Sequence, residues 1–66
     1  MENTELIKAA IDASFESQIE NMHQALFSGL IEAGEDASQI DVVRSRFSKG
    51  LAYANKARAL ALSCIE

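Results

Sequence analysis

An apolar repeat over residues 40–65, a stretch without proline, is the feature that most constrains the fold. All but one of its members are apolar, and they are Ile40, Val43, Phe47, Leu51, Ala54, Arg58, Leu62 and Ile65. Residues three and four positions apart share one face of a helix, so this spacing predicts a single long helix. The pattern repeats every eleven residues, close to the helix's own period, which favours nearly straight packing over a left-handed coiled coil.

The first half of the chain carries the same kind of repeat and therefore predicts a second long helix. Its members are Ile7, Ile11, Phe15, Ile19, Met22, Leu26 and Leu30. We expect this helix over about residues 4–33, with Asn3 or Thr4 as its N-cap. Gly29 lies inside this helix and Gly50 inside the other, although each costs about 1 kcal/mol against alanine. That cost suggests a close helix crossing at both glycines.

The segment between the two repeats has the residues of a tight turn. Gly34 favours the left-handed conformation that ends many helices, so the first helix should stop there. Asp36 with Gln39 resembles a capping box that opens the second helix, and Ser38 with Asp41 is an alternative. A connection this short makes the two helices antiparallel neighbours.

We therefore predict one all-α domain over residues 1–66. It is an antiparallel two-helix hairpin, with a helix over about 4–33, a turn over 34–38 and a helix over about 39–65. A single hairpin of 66 residues buries too little apolar surface for much stability. Self-association into a four-helix bundle or a higher homo-oligomer would cover the remainder. The expected interface residues are Phe15, Ile19, Met22, Leu26, Phe27, Leu30, Ile31, Phe47 and Leu51.

Charge is distributed unevenly along the chain. Residues 1–36 contain eight acidic side chains and one lysine, whereas residues 37–66 contain five basic and two acidic side chains. One interpretation is that an acidic helix lies against a basic helix and their fields complement each other. The other is that the basic half faces an anionic ligand.

A basic stripe with one aromatic ring follows the second helix at steps of three, four and three. Its residues are Arg46, Lys49, Tyr53 and Lys56. The stripe suits a small phosphorylated ligand, because the cations can meet phosphate and the ring can stack on a base. It has few cations for a nucleic-acid surface, and the net charge of −4 repels a polyanion, so nucleic-acid binding is not predicted.

Glu20 and His23 have the Glu-x-x-His spacing that helical bundles use in di-metal sites. Glu16, one turn earlier, shares their face. The second helix offers further carboxylates only at its ends, in Asp41 and Glu66. We therefore favour a boundary histidine beside a solvated acidic face over a metal site, and we predict no cofactor.

No catalytic constellation is recognisable in the chain. His23 is the single histidine, and Cys64, the single cysteine, has no histidine on its own helix, so we predict a protein that is not an enzyme. A lone cysteine forms no internal disulfide, and no apolar segment approaches the roughly 18 residues of a membrane span. The acidic start is unlike a secretory signal. These features predict a cytoplasmic protein, in the host cytoplasm if it is viral, with no membrane partner.

The second helix resembles the corresponding helix of phage anti-immune proteins that act as nucleotide sponges. The matching residues are Phe47, Gly50, Leu51, Ala54, Lys56 and Ala57. Those small helical-hairpin oligomers counter CBASS-type defence. The resemblance is good over residues 47–57 and loose over about half of the chain, and the tryptophan usual in the family is absent. It implies an oligomer that sequesters cyclic di- or trinucleotides without cleaving them, through Lys49, Tyr53 and Lys56.

Two main functional hypotheses follow. The first is a non-enzymatic, oligomeric binding protein that acts as an inhibitor or adaptor through protein–protein contacts. The acidic side of its first helix (Asp12, Glu16, Glu20) would match a basic surface on the partner. The alternative is a phage-type sponge for cyclic nucleotide signals. A metal-binding bundle that uses Glu20 and His23 is a third hypothesis.

Overall fold

The computed structural model describes residues 2–65, which form two α-helices and no strand. Helix α1 spans Glu2–Ala33 and helix α2 spans Ala37–Cys64. The described part of the chain is therefore all-helical, as predicted. Both helices begin two residues earlier than expected, so Asn3 and Thr4 lie inside the first turn of α1 and neither is its N-cap. They fold back on each other, so Asp12 near the start of α1 pairs with Arg58 near the end of α2.

The first helix ends at a glycine in the left-handed conformation. Gly34 has a φ of 61°, and its backbone N–H donates to the Leu30 carbonyl at 3.0 Å. This single bond over one turn is the αL type of C-terminal cap, which a side chain with a Cβ would strain. The predicted end of α1 is confirmed.

The second helix begins with Asp36 as its N-cap. The Asp36 carboxylate accepts hydrogen bonds from the backbone N–H of Ser38 at 3.0 Å, from that of Gln39 at 3.3 Å and from the Ser38 hydroxyl at 2.8 Å. Because three donors stabilise the ionised carboxylate, the pKa of Asp36 lies below its ordinary value, with the Ser38 hydroxyl as the largest cause. The backbone N–H of Asp36 donates to the Ala33 carbonyl at 3.0 Å, which takes the place of the return bond of a capping box.

The repeat of α2 is its contact seam with α1. Ala54, only 7% exposed, is the one buried residue in the described part of the chain, and the other seven members of the repeat are half-buried. Arg58 fits this apolar line because its guanidinium lies over the Phe15 ring, 5.4 Å from the centroid, and its Nε donates to Asp12 at 2.9 Å. The predicted seam of α2 is confirmed.

The seam of α1 departs from its predicted repeat at both ends. Ile7 and Leu30 are exposed, at 42% and 39%, whereas Gly29 and Ala33 are half-buried near the turn. The reason is close approach of the helices: a Cβ placed on Gly29 would lie 3.0 Å from both methyl carbons of Val43. The helices meet along the glycine and alanine side of α1, which turns Leu30 outward.

The other interior glycine also marks a close crossing, as its position in the sequence suggests. A Cβ on Gly50 would overlap the sulfur of Met22, so the Met22 side chain lies directly against the backbone of α2. The two helices therefore approach closely at two points. Gly29 of α1 lies about five residues before the turn, and Gly50 of α2 lies about thirteen residues after it.

The hairpin is thin and elongated. Its Cα atoms extend over 52 × 15 × 7 Å. The radius of gyration is 15.4 Å, against about 11 Å for a compact chain of this length. One layer of two helices has no interior, so most apolar side chains remain partly exposed to solvent. Within residues 2–65, neither helix carries a stretch both long and apolar enough to cross a membrane.

Candidate binding surfaces

A continuous groove runs between the two helices along one face of the hairpin, which we call the groove face. Three adjoining cavities form it, and neighbouring cavities share lining residues such as Gly50, Gln18 and Ala57. The most enclosed cavity, of about 160 Å³, lies nearest the turn, between Gly29 and Arg46. The groove thus follows the seam over most of the length of the hairpin.

Apart from Arg46 and Arg58, the side chains that line the groove are uncharged, and many of them are small. Helix α1 contributes Ser14, Gln18, Asn21 and Ala25, and helix α2 contributes Arg46, Gly50, Tyr53, Ala57 and Ala61. Arg58 also lines the end farthest from the turn, but its charge is already paired with Asp12. No carboxylate lines any of the three cavities.

The structure separates the four residues of the predicted basic stripe. Arg46 and Tyr53 line the groove, and the Tyr53 ring is 70% exposed. Lys49 joins Arg46 in a shallow depression farther out on α2, together with Asp41. Lys56 lines none of these cavities. An anionic ligand in the groove would therefore meet Arg46 and Tyr53 first.

The predicted metal pair lies on the opposite face. Glu20 and His23 line a shallow depression with Ile19, Gln24 and Phe47, none of which adds a carboxylate, imidazole or thiolate. Across residues 2–65, no three side chains of His, Cys, Asp and Glu come together as a metal site. A metal held by Glu20 and His23 would need ligands from another chain.

Acidic side chains follow the same side of α1 as this depression. Asp12, Glu16 and Glu20 are four residues apart, so they lie one above the other along the helix. Glu16 and Glu20 are exposed, and Asp12 is partly neutralised by Arg58. We call these three residues the acidic edge; it faces away from the groove because its members line none of the groove cavities.

The predicted oligomer-interface residues fall into two groups. Six lie half-buried at the seam of the hairpin: Phe15, Ile19, Met22, Leu26, Phe47 and Leu51. Three are exposed close to the turn, namely Phe27 at 62%, Leu30 at 39% and Ile31 at 65%. The first group holds the hairpin together, whereas the second group faces solvent in a single copy.

Sequence reasoning missed the α1 wall of the groove. Ser14, Gln18, Asn21 and Ala25 are spaced four, three and four, which places them on one flank of the apolar repeat. That spacing is readable in the sequence, but small and polar residues at such positions are normally a solvated face. That Gln18 and Asn21 lie beside Gly50 and Tyr53 of the facing helix depends on the tertiary structure.

Comparison of the chain with protein-family models, with curated proteins and with solved structures finds no match.

Proposed function

We propose that this protein is a non-enzymatic binding protein that self-associates and acts, as an inhibitor or adaptor, through contacts with another protein. The observation that carries this proposal is the burial of a single residue, Ala54, in the described part of the chain. Large apolar side chains such as Phe27, Ile31 and Leu60 are exposed to 60% or more. Exposed apolar surface of this extent is typical of a chain that works in an assembly.

A binding role suits the polar chemistry of the hairpin better than a catalytic role. The depression beside His23 contains no serine, cysteine or lysine that the imidazole could activate. The acidic edge is solvated and displayed along one side of α1, where it can steer a basic partner surface by charge. The partner is therefore a protein with a basic surface patch.

Self-association is tested by sedimentation velocity of the purified protein over a range of micromolar concentrations. We expect a mass of two or more chains, because one hairpin leaves its apolar side chains in water. A well-folded single copy at all of these concentrations would contradict the proposal.

The basic partner is tested by charge reversal on the acidic edge. The double variant Glu16→Lys/Glu20→Lys should lose a partner that the unaltered protein captures from cells, while helicity stays the same. The double variant Glu32→Lys/Glu35→Lys is the matched control, because it also reverses two exposed charges but near the turn, away from the acidic edge. Equal capture by all three proteins would exclude the acidic edge as the contact.

The second candidate function is a sponge that sequesters cyclic di- or trinucleotides. Arg46 and Tyr53 favour it, because a cation and an exposed ring lie together in one groove. Phosphate would pair with the guanidinium and a base would stack on the phenol ring. Between copies of the hairpin, such a ligand would be enclosed on more than one side.

The sponge is tested by thermal melting with an excess of a cyclic dinucleotide. A ligand that binds only the folded state raises the melting temperature. At a ligand concentration of 100 times Kd it adds about 2.7 kcal/mol to the free energy of unfolding. Arg46→Glu should abolish this rise, whereas Arg44→Glu, two residues away and outside the groove, should keep it. No rise with the unaltered protein leaves the protein–protein proposal standing and removes the sponge.

A further inference from the structure

The hairpin exposes more surface area than a compact protein of the same mass. One copy exposes 5215 Å², whereas a compact monomer of 7.2 kDa exposes about 4,100 Å². The excess of roughly 1,100 Å² is somewhat more than the ~800 Å² that each partner buries in a standard protein–protein interface. One interface of ordinary size, on one face, would bring this chain to the surface area of a compact protein.

We infer that a second copy of this chain packs on the groove face, in a two-fold contact that uses the same face of both copies. This inference rests on the proposed self-association and assigns it to one side of the hairpin. The opposite side carries the acidic edge and, at helical spacing from it, the exposed Phe27 and Ile31. It stays outside the contact and remains available to another protein.

The shape of the groove suits a helix of the second copy. Its walls near the middle are small side chains, among them Ser14, Ala25 and Ala57, and its floor includes Gly50 and Ala54. Small residues let the backbones of packed helices come close. Tyr53 stands 70% exposed on the α2 wall and supplies a large side chain for the facing copy to cover.

Charge distinguishes the two faces for a contact of this symmetry. A two-fold contact brings each face against itself, so like charges on one face meet like charges. The acidic edge would place Asp12, Glu16 and Glu20 opposite the same three residues, which disfavours association. The groove face presents Arg46 as its one unpaired charge among the lining residues, and no carboxylate. The groove face is therefore the side that can meet its own copy.

The inference is tested with two alanines of α2 that are two residues apart. Ala57 lines the groove, whereas Ala59 lines none of the cavities, and both are exposed in a single hairpin. Residues two positions apart in a helix point to nearly opposite sides. Ala57→Arg and Ala59→Arg therefore make the same chemical change on two faces. Alanine and arginine both favour helix, so both variants should keep the helicity of the unaltered protein.

Sedimentation velocity then compares the masses of the three proteins. We expect a two-chain mass for the unaltered protein and for Ala59→Arg, and a one-chain mass for Ala57→Arg at the same concentration. The dissociation constant of Ala57→Arg should rise at least ~100-fold, because the two-fold contact buries two unpaired charges.

The possible outcomes separate this inference from the proposed function. A one-chain mass for the unaltered protein contradicts self-association itself. Dissociation of Ala59→Arg alone, or of neither variant, leaves self-association standing and overturns the groove face. Dissociation of both variants overturns the two-fold contact, because both faces would then be engaged.

Discussion

The turn and the middle of the hairpin are stabilised in different ways. At the turn, Gly34 and Asp36 satisfy the helix ends with hydrogen bonds to residues at most four positions away. In the middle, Phe47, Gly50 and Ala54 depend on the facing helix, and only Ala54 is buried. The local hydrogen bonds form within a single copy of the chain. The apolar side chains of the seam, in contrast, stay partly exposed to solvent as long as only two helices pack together. The turn therefore defines the hairpin, and the half-buried seam leaves the apolar surface on which the proposed self-association rests.

The largest effect should come from a charge in the seam. Phe47 lines cavities on both faces, so its ring spans the width of the contact between the helices. Phe47→Asp removes this ring and places a carboxylate among apolar side chains, which should cost about 3 kcal/mol or more. We expect loss of helicity by circular dichroism together with loss of the assembly.

Ser48→Asp, on the exposed neighbouring position, is the control and should leave both properties unchanged. Wild-type melting and mass in Phe47→Asp would show that the seam of α2 is not the contact described above.

A smaller effect is expected where the helices cross closely. Gly50→Leu should force Met22 away from α2 and cost about 1–3 kcal/mol, even though leucine favours helix. Gly29→Leu should do the same through Val43. Chemical denaturation measures the free energy of unfolding, with Ser28→Leu as an exposed control on α1. A gain of stability in either glycine variant would mean that the helices do not cross closely there.

The turn should be less sensitive. Gly34→Ala forces a residue with a Cβ into the left-handed region and should cost about 1 kcal/mol in the free energy of unfolding. Because an added Cβ would meet nothing within 4 Å, the whole cost comes from the backbone. Gly34→Asn should lose less, since asparagine tolerates this conformation. Equal losses for the two variants would indicate a steric cause instead.

The smallest effect should be a pH dependence at the N-cap of α2. The folded pKa of Asp36 is lowered from 3.8, so its ionised form stabilises the folded state above pH 3.8. This contribution should disappear as the pH falls below 3.8 and through the lowered pKa. Asp36→Asn keeps a capping oxygen without the charge, so the difference between its stability and that of the unaltered protein should shrink in acid. A difference that is constant between pH 3 and pH 6 would contradict the assignment.

The elements and their ends were predictable because each depends on nearby residues. The eleven-residue repeat predicted α2 and its seam, and Gly34 and Asp36 predicted the turn to within two residues. The N-cap of α1 was wrong, because the helix already begins at Glu2. Capping residues identify a helix start only to within one or two residues, because the first turn can extend past a candidate cap.

The sequence alone determined that this chain forms two long helices joined by a tight turn. Helix periodicity and helix capping both depend on residues only a few positions apart in the sequence. Tertiary structure decided which flank of the broad apolar stripe on α1 meets α2. Close approach at Gly29 and Gly50 selected the flank that turns Leu30 outward and brings Asn21 beside Tyr53. A sequence repeat gives the angular position of each side chain about the axis of its helix. The rotation of two helices relative to each other depends instead on how closely their backbones can pack.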